Sequence, residues 1–113
     1  MLLAIPDLFF GVRVAEAARA LGFLPEDVEL AALPERAEGA ALVVLDLGQP
    51  GDWQAAIRAL KANPATASVP VLAFGSHVDV AASRAAVAAG CDRLVTRGKL
   101  VAELPELLRR TSQ

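Results

Sequence analysis

The segment AALVVLDLGQPG, from Ala40 to Gly51, decides how the rest of the chain is interpreted. It is an apolar run, rich in β-branched residues, that stops at a single acid, Asp46, and continues into glycine and proline. A strand that is apolar on both faces and closed by such residues is typical of a parallel strand covered by helices on either side. The sequence therefore predicts a buried central strand, Ala41 to Leu45, that delivers a carboxylate to a loop.

Strands and helices alternate along the rest of the chain. The predicted strands are Leu2 to Ile5, Val28 to Leu33, Ala41 to Leu45, Val69 to Phe74 and Arg93 to Thr96. The predicted helices are Phe10 to Leu21, Trp53 to Ala62, Val80 to Ala89 and Leu100 to Arg109, with at most a turn or two of helix in Pro34 to Gly39. Pro105 should kink the last helix or split it after Leu104, because proline removes a helical hydrogen bond. This alternation predicts a three-layer, doubly wound α/β fold in which the strands are parallel and joined by right-handed crossovers.

Length and composition fit a single domain, residues 1–113, with a tightly packed interior. Hydrophobic residues make up 55% of the chain and charged residues 21%, which excludes a disordered chain. The formal net charge of −2 gives no broad attraction for nucleic acid or for an anionic membrane. The only cysteine, Cys91, cannot form an internal disulfide. The apolar start, Leu2 to Phe10, is interrupted by Pro6 and Asp7 and is too short to span a bilayer. We therefore expect a soluble cytoplasmic protein with no nucleic-acid or membrane partner.

Polar residues gather at one edge of the predicted sheet. Ligands of doubly wound folds bind beyond the carboxyl ends of the strands, at the point where the strand order reverses. The residues expected at that edge are Asp7, Asp46, Gly75-Ser76-His77 and Thr96-Arg97. Function is to be sought among them.

Three segments resemble the receiver domains of two-component response regulators. They are LVVLDLGQPG (42–51), ALKANPATASVPVLAF (59–74) and AAGCDRLVTRGKL (88–100), in the same order and spacing as in that family. The resemblance implies a flavodoxin-like receiver fold with strand order 2-1-3-4-5. It also implies that Asp46 occupies the position that accepts a phosphoryl group from a histidine kinase. The partner would then be a kinase or another signalling protein.

The residues that support phosphoryl acceptance in that family are only partly matched. The family places a pair of acids after the first strand, where they help to hold Mg²⁺. If the first strand sets the alignment, Asp7 is the second acid and Pro6 replaces the first. If the helix that ends at Gly22 sets it, Ile5 and Pro6 replace both acids. At best one of the two acids is present, and Asp7 and Asp46 are the candidate metal ligands. Mg²⁺ is expected only if the protein is phosphorylated, and otherwise no cofactor is expected.

The other two supporting positions also differ. The family has a threonine or serine after the fourth strand and a lysine after the fifth, because the anionic phosphoryl oxygens must be compensated by donors and positive charge. Here the hydroxyl position falls on Gly75, with Ser76 adjacent, and the lysine position falls on Arg97. Arginine keeps the charge but presents a planar fork in place of a compact ammonium. Ser76 and Arg97 are the candidate phosphoryl contacts.

Four of these residues also have ordinary structural interpretations. Asp46 could be a strand-end carboxylate that bonds loop amides, and Asp7 could cap the helix that follows it. His77 has no second ligand at metal spacing, so we favour a turn or surface position for it. Cys91 precedes a buried strand, where we expect it to pack.

Three aromatic residues are candidate contact points. The helical pattern buries Phe10 and leaves Phe9 as the candidate for an exposed patch. Trp53 could cover the acidic edge or mediate association, but we favour a partly buried edge position.

We favour a stand-alone receiver-like signalling module that acts through protein–protein interaction, with phosphoryl acceptance at Asp46 weakened or lost. The face that receiver domains commonly use, made by the fourth helix, fifth strand and fifth helix, would carry the contact and includes Arg84 and Arg93. The alternative is a working response regulator with Mg²⁺-dependent phosphorylation of Asp46. A third possibility is a small α/β enzyme. The sequence has neither a glycine-rich phosphate loop nor a nucleophile–base pair, so we expect no enzymatic activity. The partner, the pathway and the oligomeric state are not specified by the sequence.

Overall fold

A single five-stranded sheet forms the centre of the protein. The structure, a computed structural model, describes all 113 residues. The strands are β1 (Leu2–Ala4), β2 (Glu26–Asp27), β3 (Val43–Asp46), β4 (Val71–Gly75) and β5 (Arg93–Thr96). All pairings are parallel and the order is β2-β1-β3-β4-β5. The predicted doubly wound topology, with order 2-1-3-4-5, is confirmed.

Helices cover both faces of the sheet. They are α1 (Leu8–Ala20), α2 (Leu33–Arg36), α3 (Trp53–Ala62), α4 (Val80–Ala89), α5 (Arg97–Ala102) and α6 (Leu104–Thr111). Helices α1, α5 and α6 pack on one face, and α2, α3 and α4 pack on the other. None of the helices is both long and apolar enough to cross a membrane.

Aspartates set the start of three helices. Asp7, Asp52 and Asp79 each accept a hydrogen bond from the backbone N–H three residues further on, at the N-termini of α1, α3 and α4. Such a bond satisfies an amide that has no partner within the helix. Gly90 ends α4 with a φ of 101°, a conformation that glycine adopts without strain. The predicted bounds of α3 and α4 are therefore confirmed, whereas α1 begins at Leu8, immediately after its cap, and not at Phe10.

The central strands separate two apolar cores. Val43, Leu45, Val71 and Ala73 belong to the core beneath α2, α3 and α4. Their neighbours along β3 and β4 point the other way, toward α1, α5 and α6, since side chains alternate along a strand. Residues 42–45 and 71–73 have no exposed surface, which confirms the prediction that they are among the most buried.

The predicted second strand, Val28 to Leu33, is wrong. Strand β2 covers only Glu26–Asp27, and a 3₁₀ turn, Leu30–Ala32, leads into α2. Leu30 and Leu33 are both buried, and their spacing of one helical turn lets both reach the core from a turn. Over so short a run, that spacing and a buried strand produce similar apolar patterns. The short β2 still pairs with two of the three residues of β1, Leu2 and Leu3.

The C-terminal helix is divided, but not where the sequence predicts. Pro105 lies in the first turn of α6, where its missing N–H costs no helical bond. The division therefore falls at Glu103, before Leu104, and not after it. Helix α5 also begins earlier than predicted, because the Thr96 hydroxyl accepts a bond from the Lys99 amide at 3.1 Å and caps the helix at Arg97.

Candidate functional site at the carboxyl edge of the sheet

Asp46 ends β3 at the carboxyl edge of the sheet and is half-buried. It pairs in register with Phe74 of β4. Its Oδ1 accepts a hydrogen bond from the Gly48 backbone N–H at 2.8 Å. A Cβ atom at Gly48 would lie 3.2 Å from that oxygen, so glycine lets the loop approach the carboxylate closely. Asp46 thus makes the loop-amide bond that its structural interpretation predicts, and its role as a phosphoryl acceptor stays a prediction.

Gln49 ties the ends of β1 and β3 together. Its Nε2 donates to the Ala4 carbonyl and to the Asp46 carbonyl, both at 2.8 Å. One side chain therefore satisfies backbone acceptors on two neighbouring strands. Nothing in the sequence except its position three residues after Asp46 marks Gln49 as part of this edge.

Asp7 caps α1 and forms an ion pair. Its Oδ1 accepts from the Phe10 backbone N–H at 3.0 Å, and its Oδ2 accepts from Arg97 Nη2 at 3.4 Å. The bond from Phe10 is the main cause that lowers the pKa of the Asp7 carboxyl; partial desolvation opposes it, and Arg97 lowers the pKa further. Both oxygens of Asp7 therefore already have donors.

The register of β1 bears on the two alignments left open by the sequence. Ala4 pairs with Leu45, so Ile5 lies beside Asp46 where the strands continue. Pro6 follows, and Asp7 is already the cap of α1. Both alignments stay open, and in either one at least one acid position has no carboxylate.

Arg97 lies across two aromatic rings. Its Cζ atom is 4.3 Å from the centre of the Phe10 ring and 6.0 Å from that of Phe74. The two rings are themselves in contact, with centroids 5.1 Å apart and an interplanar angle of 50°. The guanidinium forms its ion pair with Asp7 and none with Asp46. The candidate phosphoryl contact is thus engaged elsewhere in this structure.

The residues that end and follow β4 place few polar side chains at the carboxyl edge of the sheet. Gly75 is buried and pairs with Thr96 of β5, whereas Ser76 and His77 are exposed. The exposed position of His77 is the one favoured from the sequence. Ser76 forms no side-chain hydrogen bond, so its role as a phosphoryl contact stays a prediction.

The side chains at this edge offer few ligands for Mg²⁺. Proteins hold this ion through one or two carboxylates, and waters or phosphate oxygens complete its octahedral shell. No group of three or more histidine, cysteine, aspartate or glutamate side chains is placed to hold a metal. Ile5 and Pro6 bring no side-chain oxygen, and both oxygens of Asp7 already accept hydrogen bonds.

An apolar stripe runs along the outer side of α4. Val80 is 68% exposed and Val87 75%, and Arg84 lies between them at helical spacing. Arg93 is exposed on β5, the strand at the edge of the sheet. Arg84 and Arg93, the residues named for the predicted interaction face, are exposed, and their role in binding a partner stays a prediction.

A second apolar patch lies at the start of α1. Phe9 is 87% exposed, as the sequence predicts, and Leu8 and Val12 of the same helix are also exposed. These two could not be identified from the sequence, because exposure of a leucine or valine depends on which face of the helix the sheet covers. The patch is a competing candidate for a contact surface.

Cys91 and Trp53 have structural positions. The Cys91 Sγ lies 3.2 Å from the Arg93 carbonyl oxygen, and burial raises the pKa of the thiol. Trp53 is half-buried and packs against the core beneath α3, as favoured from the sequence.

The strand order, the two helical layers and the acid that ends β3 place the chain in the flavodoxin-like class of three-layer α/β folds. No protein-family model and no curated protein matches the sequence. Solved structures do match. The chemotaxis protein CheY4 of Vibrio cholerae superposes with a TM-score of 0.84 at 14% identity, covering 97% of this chain and 95% of its own.

Two receiver domains match equally well. The receiver domain of the sensor histidine kinase PA1611 from Pseudomonas aeruginosa, with magnesium in its active-site cleft, has a TM-score of 0.82 at 21% identity over 98% of this chain and 94% of its own. The signal receiver domain of the putative response regulator NarL from Mycobacterium tuberculosis has a TM-score of 0.83 at 18% identity over 98% and 93%. The protein therefore has the fold of a response-regulator receiver domain.

Proposed function

We propose that the protein is a receiver-like signalling module that acts by contact with another signalling protein in the cytoplasm, and that phosphoryl acceptance at Asp46 is weakened or lost. The observation that carries the second part is the position of Arg97, whose guanidinium pairs with Asp7 and stacks on Phe10. Arg97, the cation at the lysine position, is therefore paired with Asp7 and not with the Asp46 carboxylate.

The electrostatics of phosphoryl transfer support this proposal. Transfer to a carboxylate brings several negative oxygens together, and each missing donor costs about 3–4 kcal/mol, or a factor of about 10²–10³ in rate. Gly75 supplies no hydroxyl, and Ser76 is exposed to solvent. Ile5 and Pro6 supply no metal ligand. Asp46 is left with few of the compensating groups that the reaction needs.

The contact function is supported by the surface of α4 and β5. Exposed apolar side chains next to arginines are typical of a protein-binding face. The face combines Val80 and Val87 with Arg84 and Arg93. A partner that covers it with apolar and acidic groups would complement both features. We propose a kinase or another signalling protein as that partner, and no enzymatic reaction of the module itself.

The alternative, a working response regulator, is favoured by Asp46 itself. Its carboxylate ends the central strand at the carboxyl edge of the sheet and is only half-buried, so a donor could reach it. For this alternative, Arg97 would have to leave Asp7 and Phe10 and turn toward Asp46.

Intact-mass measurement separates the two functions. The protein is incubated with Mg²⁺ and acetyl phosphate, beside an Asp46→Asn variant and a receiver domain of known activity. We expect the unmodified mass for the wild type, and equal partner capture by the wild type and the variant. Addition of one phosphoryl group in stoichiometric amount, absent from the variant, would contradict the proposal and make the protein a working response regulator.

A further inference from the structure

We propose that Arg97 is a built-in cation that holds the carboxyl edge of the sheet together in place of a divalent metal, by tying the start of α5 to the start of α1. The inference deepens the proposed function and rests on it, because it gives a physical reason why the edge keeps one arrangement without a phosphoryl group. It concerns residues that belong to three different elements. Arg97 begins α5, Asp7 and Phe10 begin α1, and Phe74 lies on β4.

The guanidinium is held from two directions. Asp7 accepts from Nη2 at 3.4 Å, and the Phe10 ring lies under Cζ at 4.3 Å. A planar cation over an aromatic face is attracted by the ring, and the same plane can donate at its edge to a carboxylate. A lysine ammonium could form the ion pair but could not stack in this way. Of the two side chains, only arginine can therefore make both contacts at residue 97.

The platform beneath Arg97 is part of the core. Phe74 is only 1% exposed and contacts Phe10, which packs against the core cluster shared by α1 and α6. Displacement of Arg97 would expose the outer face of Phe10. Of the two groups that hold the cation, the Phe10 ring is thus anchored in the apolar interior.

Both carboxylate oxygens of Asp7 take part in these contacts. One of its oxygens accepts from the Phe10 amide and the other from Arg97. A divalent ion that used Asp7 would share the carboxylate with both donors and would place its charge beside the Arg97 guanidinium. Ile5 and Pro6 could add no further ligand, since neither has a side-chain oxygen. The positive charge that a metal would supply at this edge is already present on Arg97.

The arrangement fixes the junction between β5 and α5. Thr96 is the last residue of β5 and caps α5, and Arg97 is the next residue. With Arg97 held on α1, the start of α5 is tied to an element other than β3, which carries Asp46. The face formed by α4, β5 and α5 should therefore keep one conformation whether or not Asp46 is modified.

Nuclear magnetic resonance of the whole protein tests the inference. A side chain that lies over a phenylalanine ring has its proton signals shifted upfield by the ring current. We expect the Arg97 Hγ and Hδ signals upfield of their ordinary positions, and we expect millimolar Mg²⁺ to leave them unchanged. A saturable Mg²⁺-induced movement of the Asp7, Asp46 or Arg97 signals would overturn the inference, as would Arg97 signals at ordinary positions.

Two variants separate the contact with the ring from the ion pair. Phe10→Leu should remove the upfield shift of Arg97 while the helix cap at Asp7 remains. Arg97→Gln should move the amide signals of Asp7 and Phe10, whereas Arg13→Gln, at an exposed site of α1 without an ion pair, should move only its neighbours. In a double-mutant cycle, the coupling of Arg97 to Phe10 should change the unfolding equilibrium constant by about two- to fivefold.

A cycle with no coupling would overturn the inference even if both single variants were less stable. The result is distinguishable from a failure of the proposed function, because no phosphoryl donor and no partner enters these measurements. Mg²⁺ binding without phosphorylation would contradict the inference about Arg97 but not the proposed contact function. Phosphorylation of Asp46 would contradict the proposed function.

Discussion

Lys61 Nζ lies 2.9 Å from Asp92 Oδ2 and joins the end of α3 to the segment that enters β5. The same ammonium donates to the Val69 carbonyl at 2.9 Å, and the same carboxylate oxygen accepts from the Val71 amide at 2.7 Å. The pair therefore closes the amino-terminal edge of the sheet, opposite to the edge that carries Asp46. A Cβ at Gly90 would lie 2.8 Å from Lys61 Cγ, so glycine is also needed to make room for the lysine stem.

Asp92→Ala should lower the free energy of unfolding by about 1–3 kcal/mol, because the Val71 amide, in a fully buried residue, loses its acceptor. Asp92→Asn should cost less, since it keeps an acceptor oxygen and loses only the charge that faces Lys61. Equilibrium denaturation by urea measures both. Glu16→Ala, on the exposed side of α1 and without a partner, is the matched control and should have little effect. Equal stability of Asp92→Ala and Glu16→Ala would show that the pair does not support the fold.

The Cys91 thiol should react slowly with alkylating reagents in the folded protein. Burial raises its pKa, so less of the reactive thiolate is present at neutral pH than for an exposed cysteine. The Sγ also lies against the Arg93 carbonyl, 3.2 Å away. Mass spectrometry after a timed exposure to iodoacetamide, with and without denaturant, measures the difference. Equal labelling rates in the two conditions would contradict the packed position.

Much of this fold is predictable from the sequence, because long apolar runs and strong helix caps leave few alternatives. The central strand is apolar throughout, which only a strand buried on both faces tolerates. Helices α3 and α4 begin at an aspartate cap, and α4 ends at a glycine, so their bounds follow from local chemistry. The sheet order came from the resemblance to receiver domains, and the structure agrees with it.

The sequence mispredicts the second strand, where the strand and helix patterns coincide. It also does not reveal contacts of the site that join residues far apart in the chain. Leu30 and Leu33 fit a strand and a helical turn equally well, so the short β2 could not be foreseen. Arg97 is marked in the sequence as a cation after the last strand, but its contact with Phe10 joins residues far apart in the chain. The same is true of Gln49, whose bond to Ala4 depends on the pairing of β1 with β3.

Acid should remove the contribution of the Asp7 charge to stability. Its pKa in the folded protein lies below the ordinary value of 3.8, chiefly because of the Phe10 amide. A group with a depressed pKa contributes stability that is fully present above its ordinary pKa and is lost as the pH falls through the folded value. Asp7→Asn keeps a capping oxygen and removes the charge. The variant should therefore be less stable than the wild type at neutral pH, and the difference should shrink below pH 3.8.

Unfolding curves at a series of pH values measure this difference. In an Arg97→Gln background the pH-dependent part should become smaller but should not vanish, because the bond from the Phe10 amide, the larger cause, remains. A difference between wild type and Asp7→Asn that persists unchanged into strong acid would contradict this assignment.

The contact face should be sensitive to charge on α4 and β5. Arg84→Glu and Arg93→Glu change exposed side chains that make no ion pair within the protein, so we expect circular dichroism and thermal unfolding to stay close to the wild type. Capture of the partner should fall by about tenfold for each, because a reversed charge at a protein interface repels the group that the arginine faced. Val87→Ser should weaken capture through lost apolar contact, since Val87 is 75% exposed in the same stripe.

The patch at the start of α1 supplies the matched comparison. Phe9→Ser removes the most exposed of the large apolar side chains, and it lies on a helix that packs on the opposite face of the sheet from α4. If α4 and β5 form the contact, Phe9→Ser should retain capture, measured by quantitative mass spectrometry of proteins that co-purify with each variant from native cells. If Phe9→Ser abolishes capture while Arg84→Glu and Arg93→Glu retain it, the partner binds at α1. The exposed apolar side chains of α4 would then have to be explained in another way.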